Sequence, residues 1–383
     1  ITAVGFSSIF PFLPLYVKRL GSAARLNLDL LVGLVFSCQA FTMMIASPFW
    51  GALADRFGRK VMVERAMFGG AFILLLMAFV RSAEELVLLR AVQGLITGTI
   101  GAANALVASV VPRERIGYAM GLLQMGLGTG VALGPMLGGA IADAFGYRAA
   151  FYATAVLLLL AGFMVHFGVQ EEFDASKHLK EKRDSFVILW GRILSVPAVA
   201  VTFLLRFMNQ LGRMIFIPVL PLFIERLLVD TARVNTLTGF VVGIASAATT
   251  LSAVYLGRLG DRIGHQPILI VASLCSFVLY LLQSLVTEGW QLLALQALAG
   301  VALGGIVPSV SALLASYTQL GEEGAVYGLD NSISSGARAV APMLGVGVAA
   351  SFGLRATFVT AALLYLAAGL VATWGLSRAV THR

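Results

Sequence analysis

Along this chain the polar positions come in short bursts and the apolar ones in long runs. Apolar runs of about 20 residues or more fall near 1–19, 30–54, 60–80, 86–110, 117–143 and 147–168. A polar stretch, QEEFDASKHLKEKRD at Gln170–Asp184, interrupts them, and further runs follow near 196–224, 235–257, 266–286, 289–316, 325–351 and 354–377. A helix of about 20 apolar residues crosses the ~30 Å hydrocarbon layer of a bilayer. The pattern therefore predicts an all-α membrane protein with twelve transmembrane helices in two six-helix bundles. The bundles take residues 1–169 and 196–383, with a linker over 170–195. The run beginning at Ile1 reads as part of a first span, and no separate signal peptide is read.

The two sets of six are related. FPFLPLYVKRL at Phe10–Leu20 returns as IPVLPLFIERL at Ile217–Leu227, FGYRAAF at Phe145–Phe151 as FGLRATF at Phe352–Phe358, and GPMLGG at Gly134–Gly139 as APMLGV at Ala341–Val346. Each pair is 207 residues apart, and GALADRFG at Gly51–Gly58 returns as GRLGDRIG at Gly257–Gly264 at 206. Four matches in order at nearly one offset mark a duplicated six-helix unit. Parallel repeats of this kind are a transporter architecture in which substrate is handled between the halves. The repeated prolines Pro11, Pro14, Pro218 and Pro221 remove backbone donors and permit bends in helices 1 and 7.

Composition agrees with the pattern. The 383 residues are 59% hydrophobic and only 12% charged, where a soluble domain carries roughly a quarter charged residues. The net charge of +8 does not form the continuous basic face of a nucleic-acid binder. Basic residues cluster after predicted spans 2, 4, 6 and 8: Arg56, Arg59 and Lys60; Arg113 and Arg115; Lys177, Lys180, Lys182 and Arg183; Arg258 and Arg262. The positive-inside rule then places both termini and the linker in the cytoplasm, of the bacterial inner membrane in this reading. Four histidines and two cysteines, Cys38 and Cys275 within apolar runs, argue against a disulfide framework, a metal site or a cofactor.

The stretch GALADRFGRK at Gly51–Lys60 carries a resemblance. It looks like the signature loop between helices 2 and 3 of the major facilitator superfamily, whose duplicated twelve-helix layout this chain resembles over nearly its whole length. Gly51 and Gly58 let helix ends approach, and Asp55 can face a helix N-terminus, where N–H groups favour an anion. Arg56, Arg59 and Lys60 can pair with acids or helix carboxyl ends, so the loop reads as a cytoplasmic gate. The second copy keeps Asp261 and Arg262 but departs at His265 and Gln266, which leaves most of the gating to the first. GLLQMGLGTGVALGPMLGG at Gly121–Gly139 resembles the helix-5 motif of the drug:proton antiporter branch. Its Gly121, Gly130, Gly134, Gly138 and Gly139, with Pro135, make a groove and a kink for close packing. No phosphate-loop Gly-Lys-Ser/Thr occurs, so direct ATP drive is not expected. RAVQG at Arg90–Gly94 resembles the helix-4 motif of that branch, in which the arginine is associated with proton coupling.

Charges inside the spans are the candidate chemistry. An arginine deep in a span costs about 2.5–3.5 kcal/mol on insertion scales, which marks Arg90 as functional unless it reaches the interface. On helix 7, Arg206, Asn209 and Arg213 share a face over about 10 Å, with Gln210 beside them. Helix 11 adds Asp330, Asn331 and Arg338, where Asp330 and Arg338 stand too far apart on one helix to pair. Asp330 is the one acid well inside a predicted span. Desolvation and nearby arginines act on it in opposite directions, so it is a proton-site candidate beside Arg90; a structural partnership with an arginine stays open. The expectation is a monomeric secondary transporter, most like the multidrug efflux antiporters. Its partners are protons, membrane lipids and an amphiphilic small molecule, with anionic ones favoured if Arg90, Arg206, Arg213 and Arg338 face the cavity. Export or flipping of a lipid, sugar or siderophore-like metabolite is the alternative. An intramembrane enzyme is disfavoured, because the chain carries no His-rich metal cluster and no G-x-S-x-G elbow.

Overall fold

The structure is a computed structural model that describes residues 1–98, 103, 106–107, 111, 115–171, 191, 194–228, 231–317 and 323–381. Among them fifteen α-helices follow one another. The first seven are α1 (Thr2–Ser7), α2 (Leu13–Leu20), α3 (Leu28–Phe57), α4 (Arg59–Met77), α5 (Ala83–Ile96), α6 (Ile116–Phe145) and α7 (Tyr147–Gly168). After the linker come α8 (Pro197–Met214), α9 (Leu220–Leu227), α10 (Val234–Ile263), α11 (His265–Gln283), α12 (Gly289–Leu303), α13 (Ile306–Tyr317), α14 (Glu323–Phe352) and α15 (Leu354–Thr381).

Eight of the described helical runs are long and apolar enough to cross a membrane. The remaining predicted spans fall short for local reasons. Helices 1 and 7 are each broken, at Ser8–Phe12 and at Ile215–Val219, with Pro11 and Pro218 in the breaks. Pro14 and Pro221 then occupy the first turns of α2 and α9, where a helix does not need their missing N–H. α4 opens on Arg59, Lys60, Glu64 and Arg65, and α5 ends at Ile96, with residues 99–102 of the same predicted span outside those described. The two breaks are 207 residues apart, so the duplication is visible in the irregularities as well as in the helices.

The turns repeat too. α3 meets α4, α6 meets α7, α10 meets α11 and α14 meets α15 through one glycine each: Gly58, Gly146, Gly264 and Gly353. Their φ values of 94°, 85°, 96° and 88° lie in the left-handed region, where a Cβ is strained. These single-residue reversals fix which helices are antiparallel neighbours.

The chain divides into two compact units, Ile1–Glu181 with Val229–Gly243, and Lys182–Leu228 with Ile244–Arg383. In unit 1, α3 and α5 touch at Gly94, where a Cβ would overlap the Gln39 carbonyl and Thr42 Oγ1, and Thr42 donates to the Ala91 carbonyl at 2.8 Å. Tyr16 and Phe151 pack at 5.5 Å between ring centroids, with Phe12 edge-on to Phe151 at 5.4 Å. In unit 2 the equivalent backbone contact is Gly300 on the Ala245 carbonyl, and the equivalent ring pair is Phe223 and Phe358 at 4.9 Å. Close backbone approach through small residues is how membrane helices gain packing when lipid is as apolar as their side chains.

Candidate functional site

Unit 2 holds a small cleft. α8 supplies its polar wall. Four of its residues, Arg206, Asn209, Gln210 and Arg213, line the cleft together, as residues three, four and seven apart do on a 3.6-residue helix. The opposite wall is aliphatic, with Leu303 from α12 and Ile306, Val307 and Val310 from α13. Tyr365 of α15 completes the lining. Its ring lies against α8 at Gly212, where a Cβ would stand 3.0 Å from Cε2, and is stacked on Tyr280 at 5.3 Å.

Behind the lining, Arg206 binds Asp330 of α14. Arg206 Nη2 donates to Asp330 Oδ2 at 3.0 Å, and Nε stands 3.0 Å from Oδ1. The Nε–H itself points at Ser334 Oγ, 3.2 Å away, so Oδ1 has the charge contact without a directed hydrogen bond. Both side chains are largely buried, at 18% and 14% exposure. A charge pair removed from water is held together strongly, because separating it leaves two unpaired ions in a dry site. Among the described residues two buried polar atoms of the lining lack partners, Tyr365 Oη and Asn209 Oδ1; the Nδ2 of Asn209 donates to the Leu205 carbonyl at 2.7 Å. A polar atom left bare in a dry wall is costly.

The other helix-11 residues do not join the lining. Arg338 is half-buried on α14, with its charge within electrostatic reach of Arg213, Arg206 and Asp330, and Asn331 is exposed. Of the four candidate arginines, Arg206 and Arg213 line the cleft, and Arg206 is already paired. Arg90 lies in unit 1, fully buried on α5. Its Nε donates to the Val35 carbonyl at 3.1 Å and its Nη1 to Gln93 Oε1 at 2.7 Å, and no carboxylate pairs with it among the described residues.

The glycine motif of α6 seats α1. A Cβ on Gly130 would strike Ala3, one on Gly134 would strike Ser7 and the Val4 carbonyl, and one on Gly138 would strike the Ser8 carbonyl. Gly139 abuts the Asn235 carbonyl at the start of α10, and the Pro135 carbonyl abuts Gly239, whereas Gly121 has open space around it. Just beyond, Asp143 accepts from Asn235 Nδ2 at 2.6 Å and from the Thr236 backbone N–H at 2.7 Å, capping the first turn of α10. At the loop motif, Gly51 lies in α3, and the side chains of Asp55 and Arg56 lie outside those described. Glu171 caps α4 here, accepting from the backbone N–H of Arg59 at 3.0 Å and of Lys60 at 2.7 Å. Lys60 Nζ donates to the His166 carbonyl at 2.7 Å. In the second copy Asp261 is 3.2 Å from His265, and Arg262 is exposed.

Glu171, Ser334 and Tyr365 are the functional neighbours that motif reading passes over. Superposing the two copies by their offset finds two of them. Position by position, Thr2, Ala3 and Phe6 become Asn209, Gln210 and Arg213; Leu123, Leu127 and Val131 become Asp330, Ser334 and Arg338; Leu158 becomes Tyr365. The scaffold contacts are nonetheless shared. Gly138 on Ser8 matches Gly345 on Ile215, and Gly5 on Leu158 matches Gly212 on Tyr365. One scaffold is therefore written twice, and this polar set is written only in the second copy.

The family model described as Major Facilitator Superfamily matches residues 1–227 and again 202–382. The multidrug resistance protein MdtG of Salmonella typhimurium is 36% identical over 360 residues, 94% of this chain and 88% of the relative. MdtG of Enterobacter lignolyticus is 36% identical over 368 residues, covering 96% and 87%. Among solved structures, a bacterial homolog of the human lysosomal transporter Spinster, in an inward-facing and occupied conformation, shares the fold. Its TM-score is 0.81 at 14% identity, over 98% of this chain and 94% of that one.

Proposed function

The chain belongs to the major facilitator superfamily, and on that premise we propose that it is a proton-coupled exporter of amphiphilic, drug-like small molecules. It is an integral membrane protein, and it works by alternating access of a central site to the two sides of the membrane. The single observation that carries the substrate class is the cleft of unit 2. One wall is polar and charged, the other aliphatic. Such a surface suits a ligand with an apolar body and a polar end, and it asks for little else, which is how one pump accepts many compounds. The multidrug resistance proteins it resembles support that class.

Asp330 is assigned the proton. Ionised, it neutralises Arg206; protonated, it releases it, and the two states differ in what the cleft presents to a ligand. Arg90 is kept as the second candidate for coupling. The Gly51–Lys60 loop is assigned to gating on the cytoplasmic side, with both termini there, and one chain is the transporting unit because it holds both copies of the repeat. The test is expression in a bacterial host stripped of its own efflux pumps, followed by a panel of uncharged and charged amphiphilic antimicrobials. Wild type raises the tolerated concentration and lowers dye accumulation, and both effects collapse with an uncoupler and in Asp330→Asn. Unchanged susceptibility to every compound, with the protein present in the membrane fraction, overturns the reading.

A further inference from the structure

We propose that unit 2 contains a site for a small inorganic monovalent anion, with chloride its natural occupant, held by the Arg213 guanidinium and the hydroxyls of Tyr280 and Tyr365. Neither the proton assignment nor the choice of exported molecule enters here; the charge balance of the fold does. Arg338 lies within electrostatic reach of Arg206, Arg213 and Asp330. Asp330 closes on Arg206, with Oδ2 3.0 Å from Nη2 and Oδ1 3.0 Å from Nε. Among the described residues no carboxylate pairs with Arg213 or with Arg338. Three cations thus face one acid in the interior of a membrane bundle, where an uncompensated charge is costly.

The donors come together at Arg213. It lines the small cleft, and so does Tyr365. Its charge reaches both Tyr365 and Tyr280, whose rings stack at 5.3 Å. Both tyrosines are fully buried, at 0% exposure, and neither hydroxyl has a partner among the described residues. A water molecule would give the hydroxyls a partner and leave the guanidinium charge uncompensated. An anion answers both needs, because it accepts from O–H and N–H donors while it offsets the charge, and bonds between ionised groups are the stronger kind. The facing side chains Leu303, Ile306, Val307 and Val310 offer no donors. A site with so few donors favours a weakly hydrated monovalent ion over sulfate or phosphate, which lose more hydration than it returns.

The first copy shows that the scaffold packs without these groups. At the repeat offsets of 207, 206 and 207, Arg213, Tyr280 and Tyr365 correspond to Phe6, Leu74 and Leu158, all apolar. The contact of Gly5 with Leu158 is kept as that of Gly212 with Tyr365, so the ring fills the leucine's place and the hydroxyl is additional. A guanidinium and two hydroxyls are thus extra to the packing, and they meet at one place. An ion bound there ties α8 to α11 and α15, and it stabilises the folded chain in proportion to its occupancy.

The test is the linewidth of the chloride magnetic resonance signal over the purified full chain in detergent, with gluconate as the balancing anion. Wild type is expected to broaden the signal beyond empty micelles, and added bromide to reverse the broadening. Arg213→Gln loses the excess broadening. Its unfolding midpoint in gluconate lies above that of wild type, because an uncompensated charge is gone, and chloride no longer raises it. Tyr280→Phe and Tyr365→Phe keep the rings and are each expected to weaken chloride binding about tenfold. Absence of excess broadening in wild type, or full broadening in folded Arg213→Gln, overturns the inference. Should Arg213→Gln not fold, unchanged chloride affinity in both tyrosine variants overturns it. Stabilisation by 1-naphthalenesulfonate with no response to chloride assigns Arg213 to an organic acid and overturns it too. No exported compound is needed for the chloride measurements, so their failure leaves the proposed function standing, and a failure of export leaves the anion site standing.

Discussion

Single residues here do work that can be tested one at a time. Glu84, in the first turn of α5, holds the loop before α3: it accepts from Ser22 Oγ–H, from the Ala24 N–H at 3.1 Å and from the Ala23 N–H at 3.2 Å. These bonds, the Ser22 hydroxyl first among them, lower its pKa from the ordinary 4.5 to about 2. A depressed carboxylate supports the loop above its ordinary pKa, and that support is lost as pH falls through the depressed one. Hydrogen exchange at Ala23 and Ala24, corrected for intrinsic rates, is therefore expected to stay slow down past pH 4 and to quicken only nearer about 2. Glu84→Gln quickens it already at neutral pH. Protection lost at the ordinary carboxylate pKa, or unchanged in Glu84→Gln, contradicts this. Arg206 and Asp330 show where residue-scale reading stops. Both were visible in the sequence as charges inside apolar runs, but the bond between them joins positions 124 apart, and only the packing of α8 against α14 creates it.

At the scale of elements, the duplication supplies an internal control. Gly138 on Ser8 and Gly345 on Ile215 are one contact made twice, between α6 and the break after α1 and between α14 and the break after α8. A methyl group at either site meets a backbone carbonyl, which cannot swing aside. Gly138→Ala and Gly345→Ala are each expected to destabilise by about 1–3 kcal/mol, through forced separation of the helices. Gly121→Ala, with nothing within 4 Å of its Cβ position, gains helix propensity without a clash and is expected to be neutral or slightly stabilising. Thermal unfolding in detergent compares the three, and equal behaviour of Gly121→Ala and Gly138→Ala contradicts the packing account. Helix existence was legible because lipid demands long apolar runs, and helix turns were legible as glycines in a repeated phrase. The breaks at Ser8–Phe12 and Ile215–Val219 were signalled by their prolines. Glu171 was not legible as a cap, because a carboxylate in a polar linker looks the same whether it meets water or the N-terminus of α4.

For the whole molecule, the informative comparison is between the copies. The pattern of apolar runs and the offset of 207 establish a duplicated transporter scaffold, and contacts such as Gly94 on Gln39 and Gly300 on Ala245 repeat it in three dimensions. The polar face of α8 was readable from spacing alone. What faces it was not, since Tyr365 sits in an apolar run where a tyrosine carries no label, and the aliphatic wall of α12 and α13 resembles any lipid-facing surface. Read against Leu158, its equivalent in the first copy, Tyr365 marks the divergence that built the cleft. We propose that this second-copy cleft, with Asp330 behind it, couples an amphiphile to the proton gradient. The most direct measurement is transport of 1-naphthalenesulfonamide into proteoliposomes with and without an imposed pH gradient. Wild type is predicted to accumulate it against its own gradient, and Asp330→Asn to retain downhill exchange while losing all accumulation. Gradient-driven accumulation that survives in Asp330→Asn would contradict the account.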